Sequence, residues 1–196
     1  MTRAFTGVPP TSEQLDSLLY AVTRGPSAGN TASVETLVVE GQGVAAYWDI
    51  TLPSERRADF PWPGLLRAPV LLIATVAPTD YVDRYSEADK VRTGLGAAGG
   101  SLGNGVDAWS VPYWWVDGGA AVENVLLAAA AQSLGACFFG QFEHEPAVSA
   151  HFEIPQGRRS LGTIAVGEPD RENDRKSRSS KRPPRSVSDR THWGKW

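Results

Sequence analysis

The run Val70 to Val76 reads Val-Leu-Leu-Ile-Ala-Thr-Val, apolar nearly throughout. A strand with one wet face alternates in polarity, so a strand without alternation is buried on both faces. This segment therefore predicts an inner strand covered by a layer on each side. A second constraint is the Ala-rich stretch from Asp117 to Leu134, where Val122, Val125, Leu126, Ala129 and Ala130 recur at helical spacing. It predicts the dominant helix, central and buried, stopped by Gly135. Ahead of these, Thr11-Ser12-Glu13-Gln14 followed by Leu15, Leu18, Leu19 and Val22 predicts a capped helix of roughly 12 residues ended by Gly25-Pro26. Val34 to Glu40, Ala136 to Phe139 and Gly162 to Gly167 read as further strands, and Pro146 to Phe152 as a short helix. Gly43 to Trp62 has no legible structure. The elements alternate without a regular βαβ rhythm and show no repeat at solenoid periods, so the fold class is an α+β sandwich.

A chain of 196 residues is about one domain's worth. Its formal charge of -3 announces neither a nucleic-acid nor a membrane partner, but the charge is uneven. Residues 1 to 167 hold 10 basic and 17 acidic groups, net -7, whereas 168 to 196 hold 9 and 5, net +4. That basic, Ser- and Pro-rich end resembles a nucleic-acid arm in composition, yet it finishes in Trp193 and Trp196, which a purely solvated segment has no reason to carry. Docking on a protein surface is the more economical reading. The lone Cys137 excludes an intramolecular disulfide, and the opening residues do not read as a secretory signal, so a reducing cytoplasm is expected. No apolar run approaches the ~18 residues of a membrane span.

The motif reading is mostly one of exclusion. Gly94-Leu95-Gly96-Ala97-Ala98-Gly99 is a literal GxGxxG string, but Asp89 to Thr93 before it is no hydrophobic strand, so the dinucleotide fingerprint is incomplete. His144, His151 and His192 have no zinc-type spacing, and no metal is expected. Cys137 sits in an apolar stretch as an inert thiol, and no GxSxG elbow is present.

Several separated segments, in order, resemble the FMN-dependent nitroreductase-like family: Arg3-Ala4-Phe5 with Val8-Pro9 its opening motif, Arg24-Gly25-Pro26-Ser27-Ala28-Gly29-Asn30-Thr31 its APSxxN signature, Asp117 to Gly140 its central helix and following strand, and Gly162 to Pro169 its closing strand. The basic end through Lys181-Arg182-Pro183-Pro184 is similar to the ends of actinobacterial members. The resemblance implies a sandwich with a central antiparallel or mixed sheet and a buried central helix, dimeric with an exchanged C-terminal extension. Residues 1–170 would form the flavin-binding domain and 171–196 the extension wrapping the partner subunit, with Trp193 and Trp196 as its anchors.

The cofactor implied is FMN, with NADH or NADPH as co-substrate. Pro26, Ser27 and Asn30 would lie against the flavin ring of the partner subunit, where Ser27 and Asn30 supply hydrogen bonds. Phe139 and Gly140 would lie beside flavin N5, and the Gly94 to Gly105 loop is read as mobile or flavin-flanking. Arg3, Lys181 and Arg182 would hold the phosphate, because guanidinium and ammonium donors match its oxygens. The family's opening motif begins with another Arg four residues before the position of Arg3, outside this chain, and its signature continues after Asn30 as x-Gln-Pro-Trp where Thr31-Ala32-Ser33-Val34 stands here. Weaker phosphate binding and a reshaped substrate face are expected.

The function implied is an NAD(P)H-dependent FMN oxidoreductase that passes electrons to a small flat acceptor such as a nitroaromatic or quinone. The chemistry would be carried by the cofactor, with no side-chain acid or base assigned. The alternatives are a flavin-binding or flavin-sequestering protein without reductase turnover, oxidative flavin chemistry within the same family, and a nucleic-acid or protein-binding module using the basic tail.

Overall fold

The computed structural model describes residues 1–196, the side chain of Arg178 apart. In chain order its main elements are α1 (Ser12–Val22), β1 (Glu35–Glu40), α2 (Gln42–Thr51), α3 (Ser54–Arg57), β2 (Val70–Val76), α4 (Pro78–Arg84), α5 (Tyr113–Ala131), β3 (Gly135–Phe139), α6 (Glu145–His151) and β4 (Arg159–Gly167). The strands form one sheet in the order β1-β2-β4-β3, antiparallel at every pairing. Of the antiparallel and mixed arrangements expected, the antiparallel one is observed.

Every residue of β2 is buried, as the unbroken apolar run requires. Successive side chains of a strand point to opposite faces, and β2 divides accordingly. Leu71 and Ile73 enter one core with Phe5, Val39, Tyr47, Trp48, Leu65 and Val148. Val70, Leu72 and Ala74 enter the other with Leu18, Val22, Ala121, Val125 and Ile164. Thus α2, α6 and the 60–68 segment cover one face of the sheet, while α1 and α5 cover the other. A satellite cluster of Val76, Tyr81, Trp109 and Trp114 caps the far end of β2.

α1 begins with the expected capping box, Thr11 accepting from the Gln14 N–H while the Gln14 side chain accepts from the Thr11 N–H. Gly25 follows it at a crossing so close that a Cβ there would stand 3.2 Å from the Ala121 backbone nitrogen. The silent stretch 43–62 contains α2 and α3. Val44, Tyr47 and Trp48 of α2 are buried, the i, i+3, i+4 stripe of a helix lying on the sheet.

The central helix is displaced from its expected bounds. α5 starts four residues before Asp117, so this aspartate is an interior residue of the helix and not its first. It ends before Gly135, because Ser133 takes the left-handed conformation (φ 59°) and the Leu134 N–H returns to the Ala129 carbonyl at 2.9 Å. Gly135 is consequently the first residue of β3. The expectation of a buried helix holds for one stripe only. Within this chain Val116 and Leu127, on the opposite side, are 53% and 60% exposed, since a helix lying on a sheet needs only the stripe facing the sheet. Leu72→Ala should lower the free energy of urea unfolding by about 2–5 kcal/mol, the range for a fully enclosed leucine.

Candidate functional site

Phe139 closes β3 opposite Thr163 of β4, and Thr163 stands opposite Ile73 of β2. Directly paired residues share a face, so Thr163 lies on the α2 side of the sheet. There the Tyr47 hydroxyl meets the Thr163 hydroxyl at 2.8 Å, and the Gln141 amide nitrogen donates to the same oxygen at 3.0 Å. Burial pushes the Tyr47 phenol up to about 12, only partly offset by its hydrogen bonds to Thr163 and Gln141. Trp48 stacks on Phe139 at 5.7 Å and meets Tyr47 edge-on at 5.3 Å.

Tyr47, Trp48, Phe139 and Gln141 wall a hollow of about 410 Å³, completed by Phe60, Trp62, Leu65, Gly140 and Arg3. The Arg3 guanidinium lies over the Trp62 ring at 5.6 Å, giving the hollow a cationic edge. Two buried polar atoms of its lining residues, Trp48 Nε1 and Gln141 Oε1, have no hydrogen-bond partner among the described residues. Cys137 also borders it, and burial raises its thiol, as expected for an inert cysteine.

Arg3 reaches this place because the N-terminal segment is strapped to the sheet. The Thr2 N–H donates to the Ala136 carbonyl, Phe5 bridges Pro169, and the Asp170 N–H donates to the Ala4 carbonyl. The chain leaving β4 therefore runs back along the N-terminus, where the Arg3 N–H donates to Asp174 at 2.9 Å. It borders a second, open hollow of about 630 Å³ with Met1, Arg3, Arg175, Lys176, Ser177 and Ser179. Lys181 and Arg182 follow at once, exposed, the Arg182 N–H donating to the Ser179 carbonyl at 3.0 Å. Arg175 and Lys176 are thus additional cations beside Arg3; charge composition announced the tail but not which residue faces the N-terminus.

The segment Pro26 to Asn30 lies elsewhere. It borders a small hollow of about 150 Å³ against Asp117 and Ala121 of α5, on the opposite face of the sheet. No lining residue is common to this hollow and to that of Phe139 and Gly140. One chain therefore brings Arg3 together with Phe139 and Gly140, but does not bring Pro26, Ser27 and Asn30 to them. The segment is firmly held. Asp117, 7% exposed, accepts from the Ala28 N–H at 2.7 Å and from the Tyr81 hydroxyl at 2.9 Å. Arg84 Nε donates to the Gly29 carbonyl at 2.7 Å while its fork binds Asp89 at 2.7 and 2.8 Å, holding the Asp89 carboxyl down to about 2. Gly29 is left-handed (φ 65°) over the Tyr85 ring, where a Cβ would stand 2.7 Å from Cε2. Asp117 was legible only as a helix start; its partners lie 89 and 36 residues away in sequence.

Of the remaining motifs, His144 borders the Phe139 hollow, whereas the glycine string lines neither hollow. Gly94 to Gly99 follows a short turn, Val91–Thr93, and not a strand. Among the described residues no helix is long and apolar enough to cross a membrane, and no group of three or more His, Cys, Asp or Glu could hold a metal. Trp193 and Trp196 are 90% and 101% exposed, with His192 against Trp196 at 4.3 Å, so neither indole docks on its own chain.

Residues 107–168, from the approach to α5 through β4, match the family model described as Nitroreductase family. Solved structures share the fold along the whole chain. A Parabacteroides distasonis protein described as an NADH dehydrogenase/NAD(P)H nitroreductase is 19% identical at a TM-score of 0.65, over 100% of this chain and 92% of that one. A Clostridium acetobutylicum protein described as an NADH oxidase is 21% identical at 0.65, over 100% and 95%. An FMN-dependent nitroreductase of Clostridium difficile is 16% identical at 0.64, over 100% and 94%. No curated protein matches the sequence. The α+β sandwich is the fold of these nitroreductase structures, and over residues 107–168 the family model agrees with the resemblance read from the segments of α5 through β4.

Tyr47→Phe should cost about 1–2 kcal/mol in urea unfolding at pH 7, by removing one partner of a buried hydroxyl pair. The unfolded phenol ionises near 10 and the folded one near about 12, so the neutral phenol's contribution is complete below pH ~10 and lost as pH rises toward 12. The stability gap between wild type and Tyr47→Phe should accordingly close over that interval.

Proposed function

We propose that this protein is an FMN-dependent oxidoreductase that takes reducing equivalents from NADH or NADPH and delivers them to a flat conjugated acceptor such as a nitroaromatic or quinone. The observation that carries this reading is the 410 Å³ hollow, with aromatic walls, the turn at Phe139 and Gly140 on one side and the Arg3 guanidinium at its edge. Its chemistry fits an isoalloxazine on a phosphate tether. Trp48 and Phe139 offer apolar planes, Trp48 Nε1 and Gln141 Oε1 are an unsatisfied donor and acceptor, and Arg3 with the following tail supplies cations. Arg3, Lys181 and Arg182 would hold the phosphate, with Arg175 and Lys176 beside them, and Phe139 and Gly140 would border N5. When bound, FMN supplies reversible two-electron transfer at N5. The protein's part is to orient the ring, exclude water with the Trp48, Phe60 and Trp62 walls, and hold the phosphate.

Pro26, Ser27 and Asn30 serve the flavin of a second subunit in this reading. Support comes from their lying on the other face of the sheet from Phe139, and from the exposed apolar stripe of α5. Residues 1–170 are then the flavin domain, and 171–196 an extension that buries Trp193 and Trp196 on the partner.

A flavin-binding protein without turnover is favoured by one observation. Where the signature carries its amide and indole, Ala32 and Val34 stand here, and the Ser33 between them spends its hydroxyl on Asp80 and the Ala77 N–H, leaving no polar group there for a substrate. The purified protein should bind FMN with a visible flavin band, oxidise NADH or NADPH in the presence of a quinone or nitroaromatic, and sediment as a dimer. A protein that stays colourless after FMN addition sinks the proposal, and a yellow one inert to both nicotinamides selects the second reading. Arg3→Ala and Arg182→Ala should each weaken FMN binding by about 1.5–3 kcal/mol, the worth of one charge-assisted contact, measured by fluorescence quenching.

A further inference from the structure

The backbone of the Pro26 to Asn30 turn is unusual even before any ligand is considered. Gly29, Asn30 and Ala32 have φ of 65°, 56° and 52°, three left-handed residues within four positions, two of them with a Cβ. Non-glycine residues in this region are strained and persist only where their surroundings over-determine them. Here they do. Asp117 fixes the Ala28 N–H from beneath, and Arg84 fixes the Gly29 carbonyl from the side. Thr31 Oγ1 returns to the Ala28 carbonyl, and Ser27 Oγ accepts from the Ala32 N–H at 3.1 Å. Both outer anchors are themselves immobilised. Asp117 also accepts from Tyr81, and Arg84 is forked onto Asp89 with Glu87 at 3.1 Å.

The consequence of these bonds lies in what they leave free. Ser27 uses its oxygen as an acceptor, so its O–H remains a donor, and the exposed Asn30 amide has no partner among the described hydrogen bonds. The clamp holds backbone groups and spares both side chains that could meet a ligand. We infer that Asp117 and Arg84 are positioning residues, which set Pro26 to Asn30 in its ligand-ready conformation in the free protein, so that binding does not have to order the turn.

This inference rests on the reading that the turn contacts FMN, and it deepens that reading by naming what prepares the turn. Pre-organisation lowers the cost of association by removing the ordering of a loop from the binding step. Neither residue touches the ligand in this scheme. Asp117 is enclosed beneath the turn, and Arg84 is occupied by Gly29, Glu87 and Asp89.

The test uses the full chain, with FMN as the probe, and two readouts. In the flavin-free wild type the Ala28 amide should exchange slowly with deuterium. Arg84→Gln, at a side chain outside the core, should speed exchange across residues 28 to 31, weaken FMN roughly tenfold, as expected for losing about one charge-assisted hydrogen bond, and shift the bound-flavin absorption band. Asp117→Ala should do the same, and Asp117→Asn, which keeps an acceptor oxygen, should restore both readouts toward wild type. A wild-type Ala28 amide that exchanges at the unprotected rate overturns the inference. So does Arg84→Gln with an opened turn but unaltered FMN affinity and spectrum, the result of a purely structural role. Should Asp117→Ala fail to fold, Arg84→Gln and Asp117→Asn decide the matter. A wild type that binds no FMN removes the functional reading instead, and a slow Ala28 amide that speeds up in Arg84→Gln would still uphold the clamp.

Discussion

The complete burial of β2 is the interaction on which the rest of the structure depends. A strand with no wet face needs a cover on each side, and each of the two covers here draws on both halves of the chain. Leu71 and Ile73 demand the α2 layer; Val70, Leu72 and Ala74 demand α1 and α5. That division places the candidate site residues in two groups. Tyr47, Trp48 and Phe139 lie in the layer below Leu71 and Ile73. Pro26 to Asn30, by contrast, leaves α1 and settles against α5, so the sheet itself separates the two halves.

The polar groups within these layers follow the rule that a buried donor or acceptor must be matched. Thr163 is an interior strand residue in an otherwise apolar run, and its hydroxyl is satisfied by Tyr47 from α2 and Gln141 from the turn after β3. The trio fixes the turn carrying Gly140 against the sheet, joining the hollow to β4. Asp117 solves the same problem on the other face. A carboxylate within an otherwise apolar helical stripe is costly unless hydrogen-bonded, and its partners are the backbone of one segment and the phenol of another. Both polar sets stand at the edge of a hydrophobic layer, and each holds a turn that carries candidate binding groups.

The motif resemblance singled out candidate residues because they lie in short contiguous segments. Arg3, Pro26 to Asn30, and Phe139 with Gly140 could each be picked out locally. Tyr47, Thr163 and Gln141 could not, since each is unremarkable in its own window and acquires a role only through the pairing of Thr163 with Phe139. Trp48 was visible as one of several aromatics, but its stacking on Phe139 depends on how α2 packs on the sheet. Arg175 and Lys176 were lost in a uniformly basic tail, where composition is blind to direction.

What the sequence determined by itself is what local periodicity encodes: a doubly buried strand at Val70–Val76 with its ends in the right place, a capped first helix, a long Ala-rich helix, and hence a layered α+β fold. Its boundaries failed around α5, where Ser133 and not Gly135 turns the chain, and at β4, which begins at Arg159, three residues before the expected Gly162. Tertiary structure decided the convergence. Hydrogen bonds between residues 36 to 116 positions apart, such as Tyr81 with Asp117 and Tyr47 with Thr163, follow from strand register and helix crossing. Those are set by how two apolar layers close over β2, a constraint that no window of sequence contains.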